Sequence, residues 1–286
     1  MRVGLLLFSL SSAFAACSAS AGLEIVCAGD YPYHPQGVAT DGTNIYWSFT
    51  TVIAKTDLSG KVLATFDEKD KWMGHVGDLC CKDGHLFAGI NRGFEKGIRP
   101  GDEVWELDAD LKVVKRYPTP EMIWCNNGLE WFGGSFWLVS AAPDRCIYNF
   151  LFEYTPDFKF RRCMPIRSGW TYVGVQTVLL YGDKLLFGCY GAGNDAEMPH
   201  PLTTFVVDTK KLPPYKASDH PPLVPCEGRI DRMNASCGML VLNGRFMLLV
   251  PINRCPKEPR PKWRWTAKLM PYDVDAKLGK LEGAGK

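Results

Sequence analysis

Two histidines stand at equivalent places in neighbouring repeats of this sequence, each directly before an apolar, strand-like run. His34 lies in the segment His-Pro-Gln-Gly, and His75 lies in His-Val-Gly-Asp, which ends at Asp78. Imidazole titrates in the pH range that general acid–base catalysis uses, and a carboxylate close by can act in the same proton transfer. These three residues are therefore candidates for catalysis or for orienting a substrate.

A second carboxylate and several hydrogen-bonding side chains occupy comparable positions in other repeats. Glu130 lies in a strand-like run and, with Asp78, provides the pair of acids that glycoside hydrolysis uses. The candidate substrate-binding residues are Gln36, Asn127, Tyr172, Gln176, Arg92, Arg145 and Trp124. Arginine suits a carboxylate or sulfate group, and an aromatic ring can stack on a sugar. Each also has a structural interpretation, because polar residues cap strand ends and aromatic rings pack between sheets.

A unit of four strand-like runs, repeated five times, must position these candidates. In the first copy the runs are separated by turn residues such as Asp41-Gly42. The equivalent glycines are at positions 42, 84, 134, 182 and 244, so the copies are 42, 50, 48 and 62 residues apart. Four strands in roughly 40–50 residues are typical of a propeller blade. The sequence therefore predicts an all-β fold, a five-bladed β-propeller of four-stranded antiparallel blades, as a single domain over 22–286.

Two segments do not follow the repeat. The Pro-rich stretch 209–235 lacks alternation of apolar and polar residues and is predicted to be a loop. The last copy has no convincing fourth strand, because the run at Lys280–Glu282 is short. The run Leu23–Cys27 has no other partner, so we predict that this N-terminal strand completes the last blade and closes the ring.

The first copy resembles the blades of known propellers. Its segments GVATDGTNIYWSF and KTDLSGKVL are similar to NHL-type and YncE-like blades, and this resemblance implies the fold but no single function. His34-Pro-Gln-Gly and Ile45-Tyr-Trp-Ser are also similar to the first blade of five-bladed glutaminyl-peptide cyclotransferases, often called glutaminyl cyclases. This chain has Trp47 where that family has a glutamate, and it lacks the later Asn-Glu-Leu-Glu stretch.

The N-terminal segment predicts export. Arg2 precedes an apolar run, and Ala19-Ser-Ala21 is a cleavage site of small residues, so 1–21 has the pattern of a signal peptide for a secreted or periplasmic protein. Lipid attachment at Cys17 is the alternative. The later apolar runs are too short to cross a bilayer, so we expect no transmembrane segment.

The cysteines are consistent with an exported chain. Cleavage after Ala21 would leave ten of the 11 cysteines, an even number that permits several disulfides. Cys80, Cys81 and Cys189 lie in apolar runs, where cysteine also packs as a buried free thiol. The predicted fold places Cys80 and Cys81 on opposite faces of one strand, so we do not expect them to pair with each other.

Charge and motifs exclude several function classes. The chain has 33 Lys and Arg residues against 31 Asp and Glu, a net charge of +2, so no overall field attracts nucleic acid. Phosphate-binding and serine-hydrolase motifs are absent, and no cofactor is expected. A calcium ion in the channel, held by Asp78, Glu130 and backbone carbonyls, is the one ion that the residues suggest.

The long connections all fall on the side of the predicted propeller where the inner strands begin, and binding sites commonly occupy such loops. The predicted compartment, the small channel and the His, acid, Arg and aromatic residues favour a monomeric, carbohydrate-active protein. The leading hypothesis is a glycoside hydrolase or polysaccharide lyase that acts on a small or terminal glycan, acidic glycans included. The alternatives are a propeller that binds a glycan or protein without chemistry, and an enzyme like the glutaminyl cyclases.

Overall fold

Five four-stranded antiparallel sheets form a ring, which confirms the predicted five-bladed β-propeller. The computed structural model describes residues 24–67, 74–92, 101–122, 124–143, 146–190, 203–216, 223–259 and 262–283. The predicted signal peptide, 1–21, lies outside these residues. Among the helices of the described ranges, none has the length and apolar character needed to span a membrane.

Four blades use consecutive strands, and the first strand of each is the innermost. Blade 1 contains β2 (Pro35–Thr40), β3 (Asn44–Phe49), β4 (Val52–Asp57) and β5 (Val62–Asp67). Blade 2 contains β6 (His75–Lys82), β7 (His85–Asn91), β8 (Glu103–Leu107) and β9 (Val113–Pro118). Blade 3 contains β10 (Gly128–Phe132), β11 (Ser135–Val139), β12 (Asn149–Tyr154) and β13 (Phe160–Ile166). Blade 4 contains β14 (Tyr172–Tyr181), β15 (Lys184–Tyr190), β16 (Thr203–Asp208) and β17 (Gly228–Asp231).

Blade 5 joins the two ends of the chain. Its strands are β18 (Met239–Leu242), β19 (Arg245–Asn253), β20 (Trp265–Pro271) and, at the outer edge, β1 (Ile25–Val26). β1 runs antiparallel to β20, with Ile25 opposite Leu269. The prediction that the N-terminal strand closes the ring is confirmed. This pairing also covers the edge of β20, which would otherwise present unpaired backbone groups.

One prediction about the C-terminal half was wrong. The stretch 209–235 is not all loop, because β17 within it is the outer strand of blade 4, and Thr209–Lys211 forms a turn of 3-10 helix. The strand is short and follows a proline-rich run, so alternation could not reveal it. The run at Lys280–Glu282 is part of a helix, α1 (Asp275–Gly283), rather than a fourth strand. Leu278 and Leu281 of this helix pack on the core between blades 4 and 5.

The hydrophobic core is divided among the five interfaces between neighbouring blades. Strand β3 shows why: Ile45 and Trp47 enter the core shared with blade 5, whereas Tyr46 enters the core shared with blade 2. Successive side chains of a strand point to opposite faces, so a strand between two other blades needs apolar residues on both. The Trp47 ring is fully buried, and its Nε1 donates a hydrogen bond to Thr56 Oγ1 at 2.9 Å.

No disulfide joins the ten cysteines in the described part of the chain, so the predicted disulfides are wrong for these residues. Cys27, Cys80, Cys189 and Cys237 are buried in the cores between blades or at their margins. In these positions cysteine acts as a small apolar side chain. The cores between blades, rather than covalent links, therefore hold the ring together in this structure.

Gly60 gives a direct test of the ring closure. It has φ +89°, its carbonyl oxygen accepts a hydrogen bond from Ala28 N at 2.9 Å, and a β-carbon on it would collide with the Val26 carbonyl. We expect Gly60→Ala to lower the free energy of unfolding by about 2–4 kcal/mol, because backbone strain adds to a clash with β1. Gly42→Ala is the matched control, with φ +87° but open space around it, and should cost about 1 kcal/mol. Equal losses in urea unfolding would show that contact with β1 is not important.

Candidate functional site

The candidate residues lie at three depths along the central channel. The five inner strands, β2, β6, β10, β14 and β18, begin at one end of the channel, which we call the mouth, and run toward the tight turns at the other end. His34 and His75 are at the mouth. Asp78 is three residues further along β6, and Glu130 is the third residue of β10. The sequence therefore indicated that these four residues line the channel, but not how far each lies from its mouth.

At the mouth, His34 is the centre of a hydrogen-bonded cluster. Its Nε2 lies 2.8 Å from the hydroxyl of Tyr190 and 3.1 Å from Nε2 of Gln36, which also donates to Thr50 Oγ1 at 3.3 Å. The amide nitrogen of Gln36 can only donate, so Nε2 of His34 is the acceptor in that contact. Burial lowers the pKa of His34, which favours the neutral imidazole. The ring of Trp265 lies edge-on beside it, 6.1 Å between centroids.

His75 begins β6 and is half-buried at the mouth. Burial, and secondarily the proximity of His34, lowers the pKa of His75 to about 4. Both imidazoles are therefore neutral at pH 7. No residue of the described ranges forms a hydrogen bond with the His75 ring, so it can accept a bond from a ligand.

Three of the predicted binding residues, Asn127, Tyr172 and Gln176, lie where blades 3 and 4 meet at the mouth. Asn127 is buried, and its Nδ2 donates to the carbonyl of Val175 at 2.7 Å. Gln176 is 6% exposed on β14, and Tyr172, at the start of the same strand, is 40% exposed. Asn127 therefore links two inner strands, whereas Tyr172 is accessible to a ligand.

Below the mouth, Asp78 crosses the channel axis. Its Oδ1 accepts a hydrogen bond from Val38 N at 3.1 Å and its Oδ2 one from Val178 N at 3.2 Å, so one carboxyl joins the inner strands of three blades. The inner edge of each sheet presents backbone N–H groups that no further strand pairs, and Asp78 satisfies two of them. Burial raises the pKa of Asp78 well above its usual value, against the effect of these bonds. Gly37 and Gly128 leave the space that it fills, because a β-carbon on either would collide with Asp78.

Glu130 lies deeper, toward the tight turns. Its Oε1 accepts a hydrogen bond from Trp131 N at 2.8 Å and its Oε2 one from Leu180 N at 2.9 Å, while the Cys80 thiol lies 3.8 Å from Oε1. Burial raises the pKa of Glu130 to about 7, although these bonds favour the charged form. Like Asp78, it satisfies backbone groups at the inner edges of the sheets.

The other predicted binding residues do not join the cluster in this structure. Arg92 is paired with Glu103, 3.4 Å between Nη1 and Oε1. Trp124 is 38% exposed and stacks on Phe150, 5.7 Å between centroids. Arg145 lies outside the described residues.

Tyr190 and Trp265 join the cluster although neither is among the seven candidate binding residues. Tyr190 is the last residue of the second strand of blade 4, and Thr50 follows the second strand of blade 1. The second strand of every blade returns to the mouth, so its final residue was a detectable signal. Trp265 begins β20 next to the N-terminal segment, where Tyr31 forms an isolated bridge with it, and sequence alone does not show that contact.

The residues do not fit a calcium site. The described part of the chain holds no group of three or more His, Cys, Asp or Glu side chains placed to bind a metal. Both oxygens of Asp78 and both oxygens of Glu130 already accept backbone hydrogen bonds. We derive no step that involves a bound metal.

No protein-family model matches this sequence, and no curated protein is similar to it in sequence. Solved structures match its fold. The structure of RS223-β-xylosidase is 11% identical, with 86% of this chain and 94% of that chain covered and a TM-score of 0.58. The GH43_1 enzyme from Xanthomonas citri complexed with xylose is 11% identical, with 85% and 90% covered and a TM-score of 0.55. Another structure of that enzyme is 12% identical, with 85% and 91% covered and a TM-score of 0.56.

At these identities the likeness concerns the fold alone. The solved structures are propellers of similar length to this chain, since nearly all of each one is covered. The comparisons give no support to the resemblance to NHL-type and YncE-like blades or to the glutaminyl cyclases. What the comparisons establish is that this chain shares its overall fold with these solved structures.

Proposed function

We propose that this protein binds a small or terminal glycan at the mouth of its channel and hydrolyses a glycosidic bond there. The observation that carries the proposal is the convergence of His34, Gln36, His75 and Tyr190 at the mouth, with the Trp265 ring beside them. Sugar hydroxyls both donate and accept hydrogen bonds, and these side chains offer both functions. The similarity in fold to a β-xylosidase and to an enzyme complexed with xylose favours a glycan over other small ligands.

The neutral state of both imidazoles matters for the chemistry. A neutral His75 can act as a general base that takes a proton from the attacking water as the water oxygen bonds to the anomeric carbon. The imidazolium so formed then gives a proton to the oxygen of the leaving sugar as the glycosidic bond breaks. His34 Nε2 and the Tyr190 hydroxyl share a hydrogen bond of 2.8 Å, which orients the Tyr190 side chain toward the mouth. We assign contact with the glycan to these residues and a positioning role toward it to Asp78 and Glu130, since both carboxyls lie below the mouth and accept hydrogen bonds from the inner strands.

A glycan-binding propeller without chemistry is the second candidate. The positions of Asp78 and Glu130 favour this second candidate. Hydrolysis by two carboxylates needs both groups beside the scissile bond, whereas these two lie below the mouth at different depths. A lyase on acidic glycans has less support, since Arg92, proposed to neutralise a uronate, is paired with Glu103. Product release separates a hydrolase from a binding protein directly.

The test is a panel of neutral, uronic and sulfated oligosaccharides, with thermal shift and product release as readouts. If hydrolysis takes place, we expect His75→Ala to lower kcat/KM by 10²-fold or more, as loss of a general base does. His85→Ala is the matched control, because His85 lies on the tight-turn side and pairs with Glu106, 2.6 Å between Nδ1 and Oε1. Stabilisation by a sugar without product would favour the binding protein, and full activity of His75→Ala would exclude the assigned role.

We also propose that 1–21 is removed during export. The support is the charged, apolar and small-residue pattern of the segment. The first residue of the mature protein, determined by N-terminal sequencing after expression with an export pathway, tests this. Residue 22 is expected, whereas a chain that still begins at Met1 or a lipid on Cys17 would contradict it.

A further inference from the structure

A second cavity lies at the end of the channel opposite the mouth. Its volume is about 250 Å³, and all five inner strands line it. Its lining includes Thr40, Cys81, Leu180 and Val241, which are half-buried and lie close to the tight turns, so the cavity opens on that side. Asp78 crosses the channel between this cavity and the mouth. The two sites are therefore separate.

Most of the residues that line this cavity are apolar. Valine, leucine, alanine and methionine side chains form most of it, and Glu130 is the one carboxyl among the lining residues, none of which is basic. The Glu130 side chain is only half-buried, so it reaches the cavity. The titratable groups that face it are Cys80, which donates toward Oε1, together with Cys81 and Asp78. None of them supplies a positive charge.

This combination selects one class of ligand. An anion would meet the negative charge of Glu130, and a neutral apolar molecule would remove water from the carboxylate without replacing it. A metal ion would need several oxygen ligands, and Glu130 is the only carboxyl among the lining residues, whereas each of its oxygens keeps a second lone pair for one N–H donor. An ammonium group supplies the missing positive charge and a hydrogen-bond donor, while its carbon body fits the apolar wall.

We propose that the cavity at the tight-turn end is a binding site for a small organic ammonium ion with a short apolar body, its nitrogen hydrogen-bonded to Glu130. Only the ionised carboxylate attracts this ligand. Binding and proton release are therefore linked, and the affinity should fall about tenfold for each pH unit below the titration of Glu130. The proposal does not depend on a glycan at the mouth.

Thermal shift and calorimetry with cyclohexylamine and with cyclohexanol, a neutral molecule of the same shape, test the site. At pH 8 we expect saturable stabilisation by the amine and none by the alcohol, and we expect the effect of the amine to be lost at pH 5. Glu130→Gln should abolish binding, whereas Glu24→Gln, an exposed carboxylate paired with Lys268, should leave it unchanged. Equal effects of amine and alcohol, binding that survives Glu130→Gln, or no binding at pH 8 would each overturn the proposal.

A second variant tests the site independently, in case Glu130→Gln fails to fold. Val241→Trp fills the half-buried opening while Glu130 stays in place, and it should also abolish amine binding. His75→Ala, at the other end of the channel, should retain it. Loss of amine binding in His75→Ala together with loss of glycan binding would show one shared site and contradict the separation, whatever the fate of the proposed hydrolysis.

Discussion

Replacing Asp78 by alanine is expected to lower the free energy of unfolding by about 3–5 kcal/mol. The variant leaves the N–H groups of Val38 and Val178 buried without acceptors, and each such group costs about 1–3 kcal/mol. It also leaves a cavity on the channel axis, which adds to the loss. Urea unfolding followed by tryptophan fluorescence measures the effect.

The controls separate the structural role of Asp78 from catalysis. Asp78→Asn keeps one acceptor and should lose less stability than the alanine variant, although its amide N–H₂ faces a backbone donor. Asp110→Ala removes an exposed carboxylate at a turn, 3.9 Å from Lys112 Nζ, and should change stability by less than about 0.5 kcal/mol. If Asp78→Ala unfolds at the same urea concentration as the native protein but has lost product release, Asp78 acts on the substrate and not on the ring.

The second large effect concerns the pH dependence of stability. The pKa of Glu130 rises from 4.5 to about 7 on folding, mainly because of burial. The folded protein therefore binds this proton more tightly than the unfolded chain does. The resulting stabilisation of the folded state is fully present below pH 4.5, and it is lost as the pH rises through about 7. The pKa difference corresponds to about 3 kcal/mol.

Glu130→Gln removes the titration and isolates this contribution from that of other groups. As the pH rises from 4.5 to 8, the native protein should lose about 3 kcal/mol more unfolding free energy than the Glu130→Gln variant does. A carboxyl NMR titration of Glu130 should have its midpoint near 7. Parallel stability curves for the two proteins, with a midpoint near the ordinary value, would refute the buried, proton-binding state of Glu130.

The fold was predictable because its signal repeats. Strands such as β3, buried on both faces, need apolar residues throughout, and the glycine turns at 42, 84, 134, 182 and 244 mark each copy. The closing strand β1 was predictable from the missing fourth strand of the last blade. Strand β17 was not, because four residues after a proline-rich run carry too little alternation to be recognised.

The positions of some candidate residues at the mouth were predictable, but the depth of the two carboxyls along the channel was not. Polar residues near the starts of inner strands were expected at the mouth, and His34, Gln36 and His75 are there. Asp78 and Glu130 instead turn toward the channel axis, where they meet unpaired N–H groups of neighbouring strands. Those partners come from blades as much as 100 residues away in sequence, so a single sequence does not reveal the pairing.

The most direct test of the mouth as the functional site is the double variant His34→Ala/His75→Ala, measured with the oligosaccharide that most stabilises the native protein. We predict that the variant keeps the unfolding transition of the native fold but loses both the ligand-induced thermal shift and any product release, while His85→Ala retains them. A double variant that still binds and turns over this oligosaccharide like the native protein would place the functional site elsewhere.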